Sequence, residues 1–167
     1  MEWMLMPLKR YAEFSGRSRR MEYWMWIVFQ FLISIAFQII IFAVGGGAMM
    51  AAGGDPTGAL AAGGLIMIVF VLAILISLAL FIPSLAVTVR RLHDTNRTGW
   101  WILAPLAPYL LIFVGASMES PAISLIGMIA VFGVMIALIV FYFLDGTPGP
   151  NRYGEDPKGR GTADTFA

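Results

Sequence analysis

Arg90-Arg91-Leu92-His93-Asp94-Thr95-Asn96-Arg97 sets three guanidinium groups, an imidazole and a carboxylate within eight residues. Arg17, Arg19 and Arg20 with Glu22 form a second such group, and Asn151 with Arg152 a third. Arginine presents a rigid fork of donors that fits a phosphate or a carboxylate, so two chemistries compete for these residues. In one, Glu22 and Asp94 accept from the arginines and tie the polar segments together. In the other, the arginines hold an anionic lipid headgroup or another phosphate. His93 beside Asp94 suits acid-base chemistry on such a headgroup, against the plainer reading of an interfacial histidine bonded to Asp94 or water. One histidine and no cysteine make no ordinary zinc site, no thiolate nucleophile and no iron-sulfur site, so neither a metal nor a cofactor is implied. The basic residues are too few for nucleic acid to be a partner.

The elements that position these residues follow from charge-free gaps. Hydrophobic residues make up 59% of the 167 and charged ones only 13%, against about 25% charged in a soluble domain. Twenty-one charged side chains cannot cover a soluble surface of this size. No charge falls between Glu22 and Asp55, Asp55 and Arg90, Thr98 and Met118, or Ser120 and Leu144. Crossing hydrocarbon takes about 20 helical residues, so each gap holds one span. The expected spans are Trp24 to Val44, Leu65 to Val89, Trp100 to Met118 and Ala122 to Leu144. Pro105 and Pro108 interrupt the third, which reads as a kinked helix or, alternatively, a re-entrant segment.

All 11 Lys and Arg residues lie in the leading segment, the second connection or the tail. The positive-inside rule places that side in the cytoplasm. The expectation is an all-α integral membrane four-helix bundle with both termini cytoplasmic. It comprises a cytoplasmic interfacial segment over 1–22, a four-span domain over 23–144 and a cytoplasmic Gly/Pro-rich tail over 145–167. The leading residues Trp3, Met4, Leu5, Leu8, Tyr11 and Phe14 suit a short amphipathic stretch at the interface, with no cleavable signal.

Within the spans, Gln30, Ser34 and Gln38 recur every four residues on one face, which should look into the bundle and find partners there. Ala73 with Ser77, and Gly133 with Ala137, offer small pairs for close packing, while Pro83 and Ser84 mark a kink. No Asp, Glu, Lys, Arg or His lies inside a span, so an ion-coupled carrier is disfavoured. The first connection, Gly45 to Gly64, reads as a flexible loop turning at Asp55-Pro56, with at most short helical ends. The third, around Gly115 to Pro121, reads as a tight hairpin presenting Glu119. Ser18 is the expected cap of span one, and Thr98 or Asn96 of span three. The tail reads as turn-rich, followed by a disordered end.

Three segments carry a resemblance. They run from Phe14 through Gly16-Arg17-Ser18-Arg19-Arg20 to Trp24, from Arg90 through Asp94 and Thr98-Gly99 to Trp101, and from Gly149-Pro150-Asn151-Arg152-Tyr153 to Pro157. Their order and spacing resemble the domain of unknown function 805 family of small bacterial inner-membrane proteins, over nearly the whole chain. The resemblance implies the multi-pass fold and an inner-membrane location, with Asp94, Gly99 and Asn151 at signature positions, and brings no reaction or cofactor. The long Gly/Ala-rich first loop and Thr98, where Ser is commoner, depart from the pattern. The leading functional expectation is a non-enzymatic protein that packs with membrane lipid, with itself as a homo-oligomer or with another membrane protein. A small transporter or channel and a headgroup enzyme are the alternatives.

Overall fold

A computed structural model describes residues 2–53 and 55–160, and among them the fold is all-α. Helix α1 covers Glu2–Lys9, α2 Arg20–Ala52, α3 Pro56–Asp94, α4 Leu106–Ser117 and α5 Pro121–Phe143. A short 3-10 helix, Gly99–Leu103, precedes α4. Among the described residues four segments are long and apolar enough to cross a membrane: Arg20–Ala48, Gly63–Asp94, Gly99–Ser117 and Pro121–Phe143.

The helices outrun the expected spans at several ends. The first connection is a correction: instead of a loop over Gly45 to Gly64, α2 continues to Ala52 and α3 begins at Pro56. Alanine favours helix, and glycine is tolerated in membrane helices, so the Gly/Ala composition did not break the chain. Pro56 begins α3 where a missing N–H is harmless. The third segment breaks at Pro105, which ends the 3-10 helix and stands at the N-cap of α4, with Pro108 buried in the first turn. Five 3-10 residues and twelve α-helical ones together give a rise of about 28 Å, close to the hydrocarbon thickness.

The chain divides into two compact units, one formed by Met1–Tyr11 with Trp24–Ser84 and the other by Ala12–Tyr23 with Leu85–Ala167. In the first, Pro83 has no N–H to offer the Ala79 carbonyl four residues earlier. The Tyr11 hydroxyl, just beyond α1, donates to that carbonyl instead. The leading segment thereby repairs the backbone of α3, as a neighbour must where water is absent.

In the second unit α4 and α5 form a hairpin whose turn holds Glu119, exposed, at φ 50°. A Cβ on Gly115 would lie 2.5 Å from the Ser124 nitrogen, and one on Gly127 2.7 Å from the Ile112 side chain. Close packing therefore falls at these glycines, whereas Gly133, the expected site, faces open space. The tail over 145–160 is turn-rich, with an isolated bridge between Asn151 and Gly154. The disordered end expected of the tail lies largely outside the described residues, which stop at 160.

Candidate functional site

The end of α3, the start of α2 with the residues before it, and the tail meet in a buried polar cluster of the second unit. Arg17, Glu22, Arg90, Arg91, Asp94 and Asp156 are all buried. Charges are removed from solvent here only with partners, because an unpaired buried charge is very costly. Arg90 meets Glu22 at 2.9 Å. Asp94 accepts from Arg17 at 3.0 Å on one oxygen and from Arg91 at 2.5 Å on the other. The contact expected between the segment from Arg17 to Glu22 and the segment from Arg90 to Arg97 is present in these pairs.

Arg17 is the hub. Beyond Asp94 it donates to the carbonyls of Gly149 at 2.7 Å and Thr147 at 2.5 Å, and lies 3.9 Å from Asp156. Arg91 spends its remaining donors on the end of α5, at the carbonyls of Tyr142 (3.2 Å) and Leu144. Arg20 reaches the Phe143 carbonyl at 3.2 Å. The last carbonyls of a helix have no partner within it, so these two arginines cap α5 with charge of the sign its C-terminus favours. Arg19 donates to the Pro157 carbonyl, and Arg90 also to that of Glu13. Arg97 lies over the Phe141 ring at 3.8 Å and bonds the Thr95 carbonyl. Arg152, exposed, bonds the Asn96 carbonyl at 2.9 Å.

His93 does not bond Asp94, one of the two partners expected for it. Its Nδ1 stands 3.2 Å from the Gly16 carbonyl, and its ring stacks on Tyr153 with centroids 3.8 Å apart. Asn151 holds the same turn, donating to the His93 carbonyl at 3.0 Å and to the Thr147 hydroxyl at 2.9 Å while accepting from the Tyr153 N–H. An apolar groove of about 400 Å³ beside His93 is lined also by Phe14, Val89, Gly99, Trp100 and Leu103, with neither Asp94 nor an arginine in its wall. Among the described residues no group of three or more His, Cys, Asp or Glu side chains could hold a metal.

Of the two expected caps, Ser18 differs from expectation and Thr98 meets it in position only. Ser18 precedes α2 by two residues, and its buried hydroxyl finds no hydrogen-bond partner among the described residues. Its backbone does the positioning instead, with the N–H donating to the Arg90 carbonyl at 3.1 Å. Thr98 stands at the N-cap of the 3-10 helix without a side-chain bond to it, and Asn96 serves the preceding turn at φ 59°.

Gly146, Asp145, Asp156 and Arg160 enter the cluster without having been singled out by sequence. A Cβ on Gly146 would fall 2.1 Å from Asp94 Oδ2, so only glycine lets the tail pass the buried carboxylate. Arg160 bridges Asp156 at 2.8 Å and Asp145 at 3.0 Å. A hydrogen bond from Lys158, against an opposing effect of burial and with the charges of Lys158, Arg20 and Arg160 nearby, holds the Asp145 carboxyl down to about 2. Burial works to raise the Asp156 carboxyl, but hydrogen bonds from Arg160 and the Lys158 N–H outweigh it and the group stays below its ordinary value. An acidic residue in a Gly/Pro-rich tail was the available signal.

In the first unit, Ser84 gathers the polar groups of the helix pair. Its hydroxyl donates to the Leu80 carbonyl and accepts from Trp26 Nε1 at 3.1 Å and Gln30 Nε2 at 3.0 Å. The Ser34 hydroxyl does not find a partner on another helix; it bonds the Phe31 carbonyl of its own helix at 2.8 Å. Gln30, Ser34 and Gln38 line one groove with Ser77 and Phe70.

Among curated proteins, the inner membrane proteins YhaI and YhaH of Escherichia coli K12 are each 33% identical to this chain over 158 residues. These alignments span 95% of the chain and 97% and 98% of the relatives. The uncharacterized protein YiiR of Escherichia coli K12 is 25% identical over 148 residues, 87% of this chain and 86% of its own. No solved structure matches. The family described as protein of unknown function DUF805 matches residues 11–155, from the Tyr11 that repairs α3 to the turn beside Asp156, and the chain belongs to it.

Proposed function

We propose that this chain is a multi-pass protein of the bacterial inner membrane, with both termini cytoplasmic. Its four spans assemble as a bundle, and it acts by packing with itself, with lipid or with another membrane protein rather than by catalysis. The observation that carries this reading is how the buried Arg17 and Arg91 are bonded. The donors of Arg17 and Arg91 are directed to Asp94 and to backbone carbonyls, which favours the structural role of the three motifs over a phosphate site. Catalysis at His93 is disfavoured on the same ground, since the Asp94 carboxylate is committed to two arginines and the imidazole Nδ1 stands against the Gly16 carbonyl. The inner-membrane location is supported by the names of YhaI and YhaH, and the topology by the grouping of all 11 basic residues on one side.

Reporters fused at the C-terminal end and inserted near Thr57 should report opposite compartments, the first cytoplasmic; two periplasmic signals would overturn the topology. The groove lined by Gln30 and Gln38 favours one second reading, passage of a small solute. Reconstituted protein with no solute flux above protein-free liposomes excludes it, and a flux abolished by replacing both glutamines with leucine in a folded protein establishes it.

A further inference from the structure

The groove between α2 and α3 in the first unit encloses about 410 Å³ and is lined by Gln30, Ser34, Phe37, Gln38, Phe70 and Ser77, among others. Its polar groups differ in how they are satisfied. The Gln30 amide is bonded to Ser84. Ser34 and Ser77 return their hydroxyls to carbonyls of their own helices, at 2.8 Å each. Gln38 is exposed and makes no hydrogen bond among the described residues. It stands eight residues beyond Gln30, about 12 Å along the helix, and six before the end of the expected span at Val44. At that depth the surroundings are hydrocarbon, where an unpartnered amide is costly and an acyl chain offers it neither donor nor acceptor.

We propose that a second copy of this chain docks on this groove, with the Gln38 amides of the two copies pairing across a two-fold axis. A carboxamide carries a donor and an acceptor on one planar group, so it is complementary to its own copy under a two-fold rotation. Gln38 lines the groove together with Ser34 and Ser77, and all three are exposed. Those small side chains leave room for a neighbouring helix to approach. No charge lies between Glu22 and Asp55 to oppose that approach. The inference rests on the proposed role in packing and names its partner as the chain itself.

The absence of cysteine makes the test clean, because an introduced thiol is the only one in the chain. Ser34→Cys places a thiol in the groove, one turn from Gln38. Ile40→Cys, at an exposed position two residues after Gln38, places one on another side of α2. In native membranes treated with a short thiol-to-thiol cross-linker, the Ser34→Cys protein gives a covalent dimer and the Ile40→Cys protein gives little. Adding Gln38→Leu to the Ser34→Cys chain weakens dimerisation by about tenfold, read by energy transfer between labelled copies diluted in liposomes, because two modest membrane hydrogen bonds are lost. Equal cross-linking at both positions, no dimer at either, undiminished dimerisation after Gln38→Leu, or recovery of a monomer carrying only lipid or an unrelated protein overturns the proposal. A lipid-bearing monomer that conducts no solute would remove this interface and leave the broader packing role standing, whereas solute flux would remove that role itself.

Discussion

Arg90 and Arg91 are completely buried and Glu22 and Asp94 nearly so, while along the helix pair of the first unit Phe42 is 81% and Met67 68% exposed. A soluble protein arranges these residue types the other way round. In the polar cluster, burial is made tolerable by opposite charges within 3.0 Å and by carbonyls at a helix end. In the helix pair, one serine hydroxyl serves a tryptophan, a glutamine and its own backbone. Apolar burial gains little between helices whose surroundings are as apolar as leucine, so fold-specific information concentrates in the few polar contacts. The charged contacts of the cluster should therefore be far more sensitive to substitution than the neutral ones of the helix pair.

The largest effect is expected from Asp94→Asn. It leaves Arg17 and Arg91 buried without their shared carboxylate, and breaking a buried ion pair costs about 3–5 kcal/mol. Thermal unfolding in detergent should show a marked loss of stability, and a change below about 1 kcal/mol would erase the contrast between the regions. Ser84→Ala samples the other region. It removes the acceptor for Trp26 and Gln30, and with membrane hydrogen bonds modest on average the loss should be about 1 kcal/mol by the same measurement. A loss equal to that of Asp94→Asn would show that the helix pair depends on its polar contacts as strongly as the cluster does.

The smallest effect lies at the exposed rim of the cluster. The Asp145 carboxyl is lowered to about 2, so its contribution is fully present above the ordinary carboxylate range near 4 and is lost as pH falls toward 2. Solvent screens this group, so acid should loosen the tail without unfolding the helices. Protease accessibility around Lys158 should rise over that window, and Asp145→Asn should weaken that pH dependence, leaving the part carried by Asp156.

The pairing of Glu22 and Asp94 with arginines was legible because charged residues at neighbouring span ends have few other ways to be satisfied. The return of the tail to Arg17 was not, since Thr147, Gly149 and Asp156 lie at least 130 residues away in sequence and Gly/Pro-rich composition describes a turn without saying where it docks. Span count followed from charge-free gaps, but span ends did not. Gly45-Gly46-Gly47 reads as a breaker by propensity and is helical here, because membrane helices tolerate glycine that water-exposed ones resist. The Gly146 requirement was invisible for a related reason, as a missing side chain gives no pattern until the carboxylate opposite it is known.

The hub at Arg17 also sets an order of events. A ribosome delivers Arg17 at least 130 residues before its acceptors at Thr147 and Gly149, so until they emerge the guanidinium has only part of its final set of partners. Under the proposed topology, the less enclosed charge helps during that interval to retain the leading segment on the side where chains are made. Once α5 has been inserted and the tail follows it out, the same charge is enclosed by Asp94, Asp156 and the turn carbonyls. A charge that orients the chain under the proposed topology thus ends as a structural bond, and a chain interrupted before residue 147 would lack the tail's share of the enclosure around Arg17.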